Sequence, residues 1–175
     1  MKPDIQSDTQ SDTQSDKDYK AAMDTAIRLL CRRRHTSYEI EQKLAARKVN
    51  KDCIKAVISK CRHLNYINDK ETALQYFQEL KNKGCGCLKI RSDMKKKGIT
   101  QEQIEDIFSK FYNDNEELET ARKALQKNLR RFNREKDHWK KKEKIYRFLC
   151  YKGFTGSIIS KVISELIIND PDTND

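Results

Sequence analysis

One pattern occurs three times along this chain, and it constrains the fold more than any other feature. A polar cap residue opens a helix, and two apolar residues flank it. These are Val49 and Ile54 around Asn50, Ile99 and Ile104 around Thr100, and Phe154 and Ile159 around Thr155. The spacing is that of a hydrophobic staple, in which the residue before the cap packs on one a turn inside the helix. Each helix then carries an apolar stripe at i, i+3, i+4 and i+7. The stripes are Ile54, Val57, Ile58 and Cys61; Ile104, Ile107, Phe108 and Phe111; and Ile159, Val162, Ile163 and Leu166. Mid-stripe residues Ile104 and Phe108, with their counterparts Ile58 and Ile163, are expected in the core. Repeats about 50 residues apart are stacked helical units, each too small to bury its apolar face alone.

The middle copy, Gly84 to Phe111, is the clearest. Its first helix places Ile90 and Met94 on one side. Gly98 ends that helix, because glycine readily takes the left-handed conformation. Thr100 then caps the next, and Gln103 can reach back to complete a capping box. In the first copy the corner Lys48-Val49-Asn50 lacks the glycine, which predicts a looser corner or another cap. Gly153 closes the corresponding helix of the third copy.

The remaining helices follow from periodicity. One spans about 18–33 with Met23, Ala26, Ile27 and Leu30 inward; a second opens at a Thr36–Glu39 capping box and carries Ile40 and Leu44. Asn68 with Glu71 caps a helix whose inner face is Ala73, Phe77 and Leu80. Leu118, Ala121, Leu125, Leu129 and Phe132 make one continuous stripe, and Asp137 caps a helix carrying Trp139, Ile145, Phe148 and Leu149. Both prolines, Pro3 and Pro171, lie in the tails, so the interval 18–168 suits helices better than a sheet. The expectation is an all-α fold of nine main helices in three tandem three-helix repeats, at 18–66, 67–112 and 113–168. Residues 1–17, which repeat SDTQ, read as a disordered acidic tail, and 169–175 as a second acidic tail.

Charge narrows the function. The chain carries a net +10; its tails carry −2 and −3, which leaves the body at +15. A body this basic suits an anionic partner, either nucleic acid or an acidic protein surface; the alternative is a solvated, highly charged helical face. The cations cluster at Arg32, Arg33 and Arg34; at Lys89, Arg91, Lys95, Lys96 and Lys97; at Arg130, Arg131, Arg134 and Lys136; and at Lys140, Lys141 and on to Lys144. With both acidic tails set aside, these read as a partner- or DNA-binding surface. Few aromatics accompany them, so base stacking is not strongly indicated.

Other chemistries find little support. Gly84-Cys85-Gly86 has no preceding strand and no G-K-[ST], so a helix–helix corner explains it better than a phosphate loop. Cys85-x-Cys87 lacks zinc spacing and a second pair, and His35, His63 and His138 lie far apart, so no metal or cofactor is expected. No nucleophile–base–orienter set can be assembled, and carboxylates such as Asp93 alternate with Lys89 and Lys97 as surface pairs. An enzyme is therefore not expected. The first residues are polar and no apolar run is long enough to span a membrane, which predicts a cytoplasmic protein with its six cysteines reduced.

Three stretches resemble the RecX family, bacterial regulators of the RecA recombinase. His35-Thr36 through Glu39-Ile40 to Lys43-Leu44 is similar to the family's H-S-x-x-E-L-x-x-K-L. Tyr66-Ile67-Asn68-Asp69 precedes the middle repeat. The most specific stretch joins Gly84, Gly86, Ile90, Asp93, Met94, Lys97, Gly98 and Ile99; the family has Glu and Leu at Asp93 and Met94, and often Pro at Cys87. The third repeat is matched mainly by Lys152-Gly153-Phe154-Thr155. The resemblance covers roughly 20–168. It implies three tandem three-helix units in a curved modular body; the thin apolar content suits an elongated array, and a monomer is expected. It also implies binding in the groove of a RecA–DNA filament and negative control of recombinase, ATPase and coprotease activity in DNA repair, recombination and the SOS response. A helical-repeat protein that binds nucleic acid directly, without a recombinase partner, is the alternative.

Overall fold

The computed structural model describes residues 8–168, with side chains described from Ser15 to Leu166. Among these residues the fold is all helical. The elements are α1 (Asp8–Leu30), α2 (Ser37–Ala45), α3 (Lys51–His63), α4 (Asp69–Asn82), α5 (Cys87–Lys96), α6 (Gln101–Phe111), α7 (Asp114–Gln126), α8 (Leu129–Phe132), α9 (His138–Lys152) and α10 (Gly156–Ile168). Two compact units divide after Thr72, inside α4.

The first unit has one core, in which Ala22 and Ala26 of α1, Ile40 and Leu44 of α2, and Ile54, Val57 and Cys61 of α3 pack with Ile67. The second unit has two. Phe77, Ile90, Met94, Ile99, Ile104 and Phe108 build one from α4–α6. Ala121, Leu125, Ile145, Leu149, Phe154 and Ile159 lead the other, from α7–α10. Each of the three cores thus draws on helices consecutive in sequence, and Ile67, expected in the second repeat, joins the first core.

The corners between second and third helices are the same in all three repeats. Lys48, Gly98 and Gly153 each have a left-handed φ, of +62°, +74° and +82°. Their N–H groups bond to the carbonyls of Ala45, Lys95 and Cys150, and the next N–H reaches back to Leu44, Met94 and Leu149. This pairing satisfies the last carbonyls of a helix before the chain turns. The first corner is therefore neither looser nor differently closed; a lysine adopts the conformation that glycine takes elsewhere. The capping boxes at Thr36–Glu39 and Thr100–Gln103 are both formed, and Asn50 Oδ1 accepts from the Asp52 amide. Thr155 instead sets its hydroxyl 3.0 Å from Ser157 Oγ.

The stripes are not buried evenly. Their first two positions are buried in every copy: Ile54 and Val57, Ile104 and Ile107, Ile159 and Val162. The third is buried only at Phe108, while Ile58 and Ile163 are half-buried. The fourth is buried only at Cys61, and Phe111 is 46% exposed. A stripe this wide turns its trailing edge out of a core this small.

Four further expectations are corrected. α1 begins at Asp8, ahead of the start near Asp18 set by the polar repeat. The interval is proline-free, and extending an anchored helix adds a bond for each residue ordered. Of the tails expected at 1–17 and 169–175, residues 8–17 are helical rather than disordered, and 1–7 and 169–175 lie outside the described residues. The stripe from Leu118 to Phe132 is broken at Asn128, giving ten helices among the described residues. Asn128 ends α7, with its amide donating to the Ala124 carbonyl, and its own carbonyl then starts α8. Trp139 is not inward but 77% exposed. It lies six residues from Ile145, which is about 120° around the helix from the buried face. On α1, Ala22, Thr25 and Ala26 are buried, whereas Met23, Ile27 and Leu30 are half-buried.

Candidate interaction surface

The motif residues that carry the family resemblance prove to be joints. Gly86 opens α5 without a side-chain cap. The helix is capped from outside: Cys87 N–H donates to Glu117 Oε1 of α7 at 2.7 Å, and Leu88 N–H to the Gly153 carbonyl at 3.0 Å. Gly86 N–H also donates to the Lys152 carbonyl at 2.8 Å. A Cβ on Gly86 would collide with the Gly153 carbonyl, and one on Gly153 with the Lys89 backbone. Both glycines are needed for the start of α5 to seat on the end of α9. Glu117 is buried, and its other oxygen accepts from the Tyr112 hydroxyl. Burial first, and the Glu117 bond second, push the Tyr112 phenol upward, which keeps it a donor.

The first unit repeats this device. Asp69, the first residue of α4, accepts from Ser37 N–H at 2.7 Å and Ser37 Oγ at 2.6 Å, at the start of α2. Arg62 Nη2 adds a third bond at 2.9 Å. Burial works to raise the Asp69 pKa, but the Ser37 and Arg62 bonds outweigh it and hold the carboxyl below its usual range. A carboxylate at a helix N-terminus satisfies free amides and meets the positive end of the dipole. His35 is also structural: it is buried, with Nδ1 2.9 Å from the Arg33 carbonyl. The sequence carries no pattern that singles out Glu117, since its role depends on a glycine pair far away in the chain.

The candidate cations divide by what they touch. In the first unit Arg33 grips both oxygens of Glu39, and Arg34 pairs with Glu71 at 2.8 Å. Arg32 beside them is exposed. On α5, Lys89 lies 3.6 Å from Asp93 and over the Tyr151 ring of α9. Arg91 pairs with Glu105 and stacks 3.9 Å from the Phe108 ring centroid. Lys96 pairs with Asp93 at 3.1 Å, Lys97 covers the Tyr76 ring, and Lys95 is exposed. Lys140 is 3.5 Å from Asp137 at the start of α9, and Lys141 is half-buried. Arg130, Arg131 and Arg134 are exposed and form no ion pair among the described residues. Exposed pairs are worth about 0–1 kcal/mol, so they hold side chains only loosely. Arg91, clamped between a carboxylate and a ring, is the most fixed. No helix among the described residues is long and apolar enough to cross a membrane.

Comparison with known proteins agrees with this architecture. The RecX first three-helix domain model matches residues 22–61, and the RecX third three-helix domain model matches 115–163. The regulatory protein RecX of Legionella pneumophila (strain Corby) is 31% identical over 146 residues, covering 83% of this chain and 94% of its own. That of Chlorobium phaeobacteroides (strain BS1) is 31% identical over 150 residues, covering 85% and 95%. The crystal structure of RecX from Lactobacillus salivarius matches with a TM-score of 0.71 at 29% identity, over 87% of this chain and 98% of that one.

Proposed function

This chain belongs to the RecX family, and on that premise we propose that it binds RecA-type recombinase filaments on DNA and lowers their recombinase, ATPase and coprotease activity. The observation that carries the reading is the 31% identity to regulatory RecX proteins over 83% of the chain. The repeats at 18–66, 67–112 and 113–168 are its working units, acting as a cytoplasmic monomer without chemistry of its own. The physical means is charge. Arg32, Lys95, Arg130, Arg131 and Arg134 project outward, where DNA phosphates and acidic side chains of a filament attract them. Lys89, Arg91, Lys96, Lys97 and Lys140 contribute to that field while bracing the helices that carry them. Contacts on successive repeats reinforce one another through effective concentration.

The test is recombinase ATPase on single-stranded DNA, titrated with wild-type protein and with Arg130→Glu/Arg131→Glu/Arg134→Glu at fixed salt. Wild-type protein inhibits at micromolar levels, and the triple variant inhibits less at unchanged helicity. Absence of wild-type inhibition overturns the filament reading. Unchanged inhibition by the variant removes the arginines from it. The unpaired arginines also suit direct nucleic-acid binding without a recombinase; a steep salt slope on naked DNA with no effect on the ATPase would identify that reading instead.

A further inference from the structure

The second unit holds a concave site that no motif marks. Lys81, Lys83, Lys123, Lys127 and Lys152 line one hollow of about 310 Å³, together with the Asn128 amide. These lysines are far apart in sequence. Lys81 and Lys83 stand at the end of α4, Lys123 and Lys127 at the end of α7, and Lys152 ends α9. The left-handed turn at Gly84 carries the chain past Ala124 with no side chain between them. Lys152 Nζ then bonds the Lys83 carbonyl at 3.3 Å, which closes the ring of cations.

The charge in this hollow is not balanced. Lys81 is paired with Glu116 at 2.7 Å. Lys83, Lys123 and Lys127 line the hollow without an ion pair among the described residues. Lysines at helix C-termini do offset the dipole, and three helix ends meet here. Each such end is equivalent to about half a negative charge. Three ends and Glu116 together offset about half of the five positive charges, and about two and a half remain. Lys123 and Lys127 moreover sit at i and i+4, where like charges repel. Filling the hollow with an anion relieves this repulsion.

We infer that this hollow is a binding site for a backbone phosphate of nucleic acid. A phosphodiester has two charged oxygens free to accept from several ammonium groups at once, and lysine binds it as a point charge. The hollow, at about 310 Å³, is large enough for the phosphate and its sugar. A strand held here is positioned without being read for sequence. Its lining shares no residue with the cations proposed above to face a filament, and its test contains no recombinase, so the two readings stand or fall separately.

The experiment is fluorescence anisotropy of a labelled oligo-dT with the full chain, across KCl concentrations. Lys123→Gln/Lys127→Gln is compared with Lys20→Gln/Lys60→Gln, which removes the same charge from exposed positions of the first unit. The slope of log K against log salt falls by about 0.7 for every phosphate on a single strand that is no longer neutralised, so the pocket variant should show a slope smaller by about 1.4. Its affinity at the lowest salt should fall roughly tenfold per lysine on the same scaling. The control pair should change neither by as much, and Lys123→Arg/Lys127→Arg should restore binding. Equal losses in both glutamine variants would reduce the effect to net charge and overturn the site. So would unaltered oligonucleotide binding by the pocket variant, or no binding by wild-type protein.

Discussion

Replacing Lys48 by glycine should stabilise the protein, although it removes a side chain and adds no packing. Lys48 holds φ at +62° in a corner whose hydrogen bonds match those at Gly98 and Gly153. A residue with a Cβ loses about 1–2 kcal/mol in that conformation. Glycine removes the strain but makes the unfolded chain more flexible, which returns about 0.5–1 kcal/mol. The net gain is about 0.5–1 kcal/mol. In a unit that ends at Thr72, that is a rise in Tm of a few degrees. The reverse changes grade the reasoning. Gly98→Ala brings in that strain and should cost about 1 kcal/mol. Gly153→Ala adds a collision with the Lys89 backbone and threatens the Leu88-to-Gly153 bond, so about 2–5 kcal/mol is expected. Urea unfolding followed by circular dichroism measures all three. A destabilised Lys48→Gly, or a Gly153→Ala no worse than Gly98→Ala, would refute the equivalence of the corners.

Glu117→Ala should cost about 1–3 kcal/mol, because it strands the Cys87 amide and the Tyr112 hydroxyl in a buried site; denaturant titration of the full chain reads this directly. Phe108→Ala, which deletes a ring edge-on to Phe77 at 5.3 Å, should cost about 3–5 kcal/mol, whereas half-buried Ile163→Ala should cost clearly less. A similar loss at both would mean that the stripe is buried across its whole width. Stability should also fall as the solution is acidified through the range below pH 6.5, because burial first, and then Arg33 and Lys43, lower the His35 pKa below that value. The folded state therefore binds fewer protons than the unfolded state there, so stability is present above the ordinary pKa and lost as pH falls toward the folded one. His35→Gln should flatten that part of the pH profile in thermal melts.

Much of the fold was legible because local rules and tertiary need coincide in it. Cap, staple and stripe each bias the same helix, so three copies in register state the architecture without knowledge of contacts. Reading failed where a residue's role depends on its distance round a helix or on a remote backbone. Trp139 shares a helix with Ile145 and Leu149, yet faces away from them. Asn128 interrupts a stripe that would otherwise run on, because its side chain bonds the Ala124 carbonyl in place of its own backbone amide, which turns to Leu125. The cation clusters were visible as charge, but charge does not say which lysine or arginine is already held. Arg91 and Arg131 look alike in sequence; one is clamped between Glu105 and Phe108, and the other is exposed without an ion pair among the described residues.

On the proposed function, the motif residues and the exposed cations divide the work. Asp69 and Glu117 come from the first helices of the second and third repeats, and each caps the second helix of the repeat before it. A helix whose first amides depend on the next repeat cannot be completed alone. Ordering one repeat therefore favours ordering its neighbour, as nearest-neighbour coupling in a repeat protein requires. In this chain the Asn68-Asp69 and Gly84-x-Gly86 stretches are therefore structural joints. On the proposed function, binding rests on residues outside those stretches. Substitution there separates the two roles: a change at Glu117 or Gly86 should alter stability and partner binding together, whereas a change at Arg131 or Lys127 should alter binding alone.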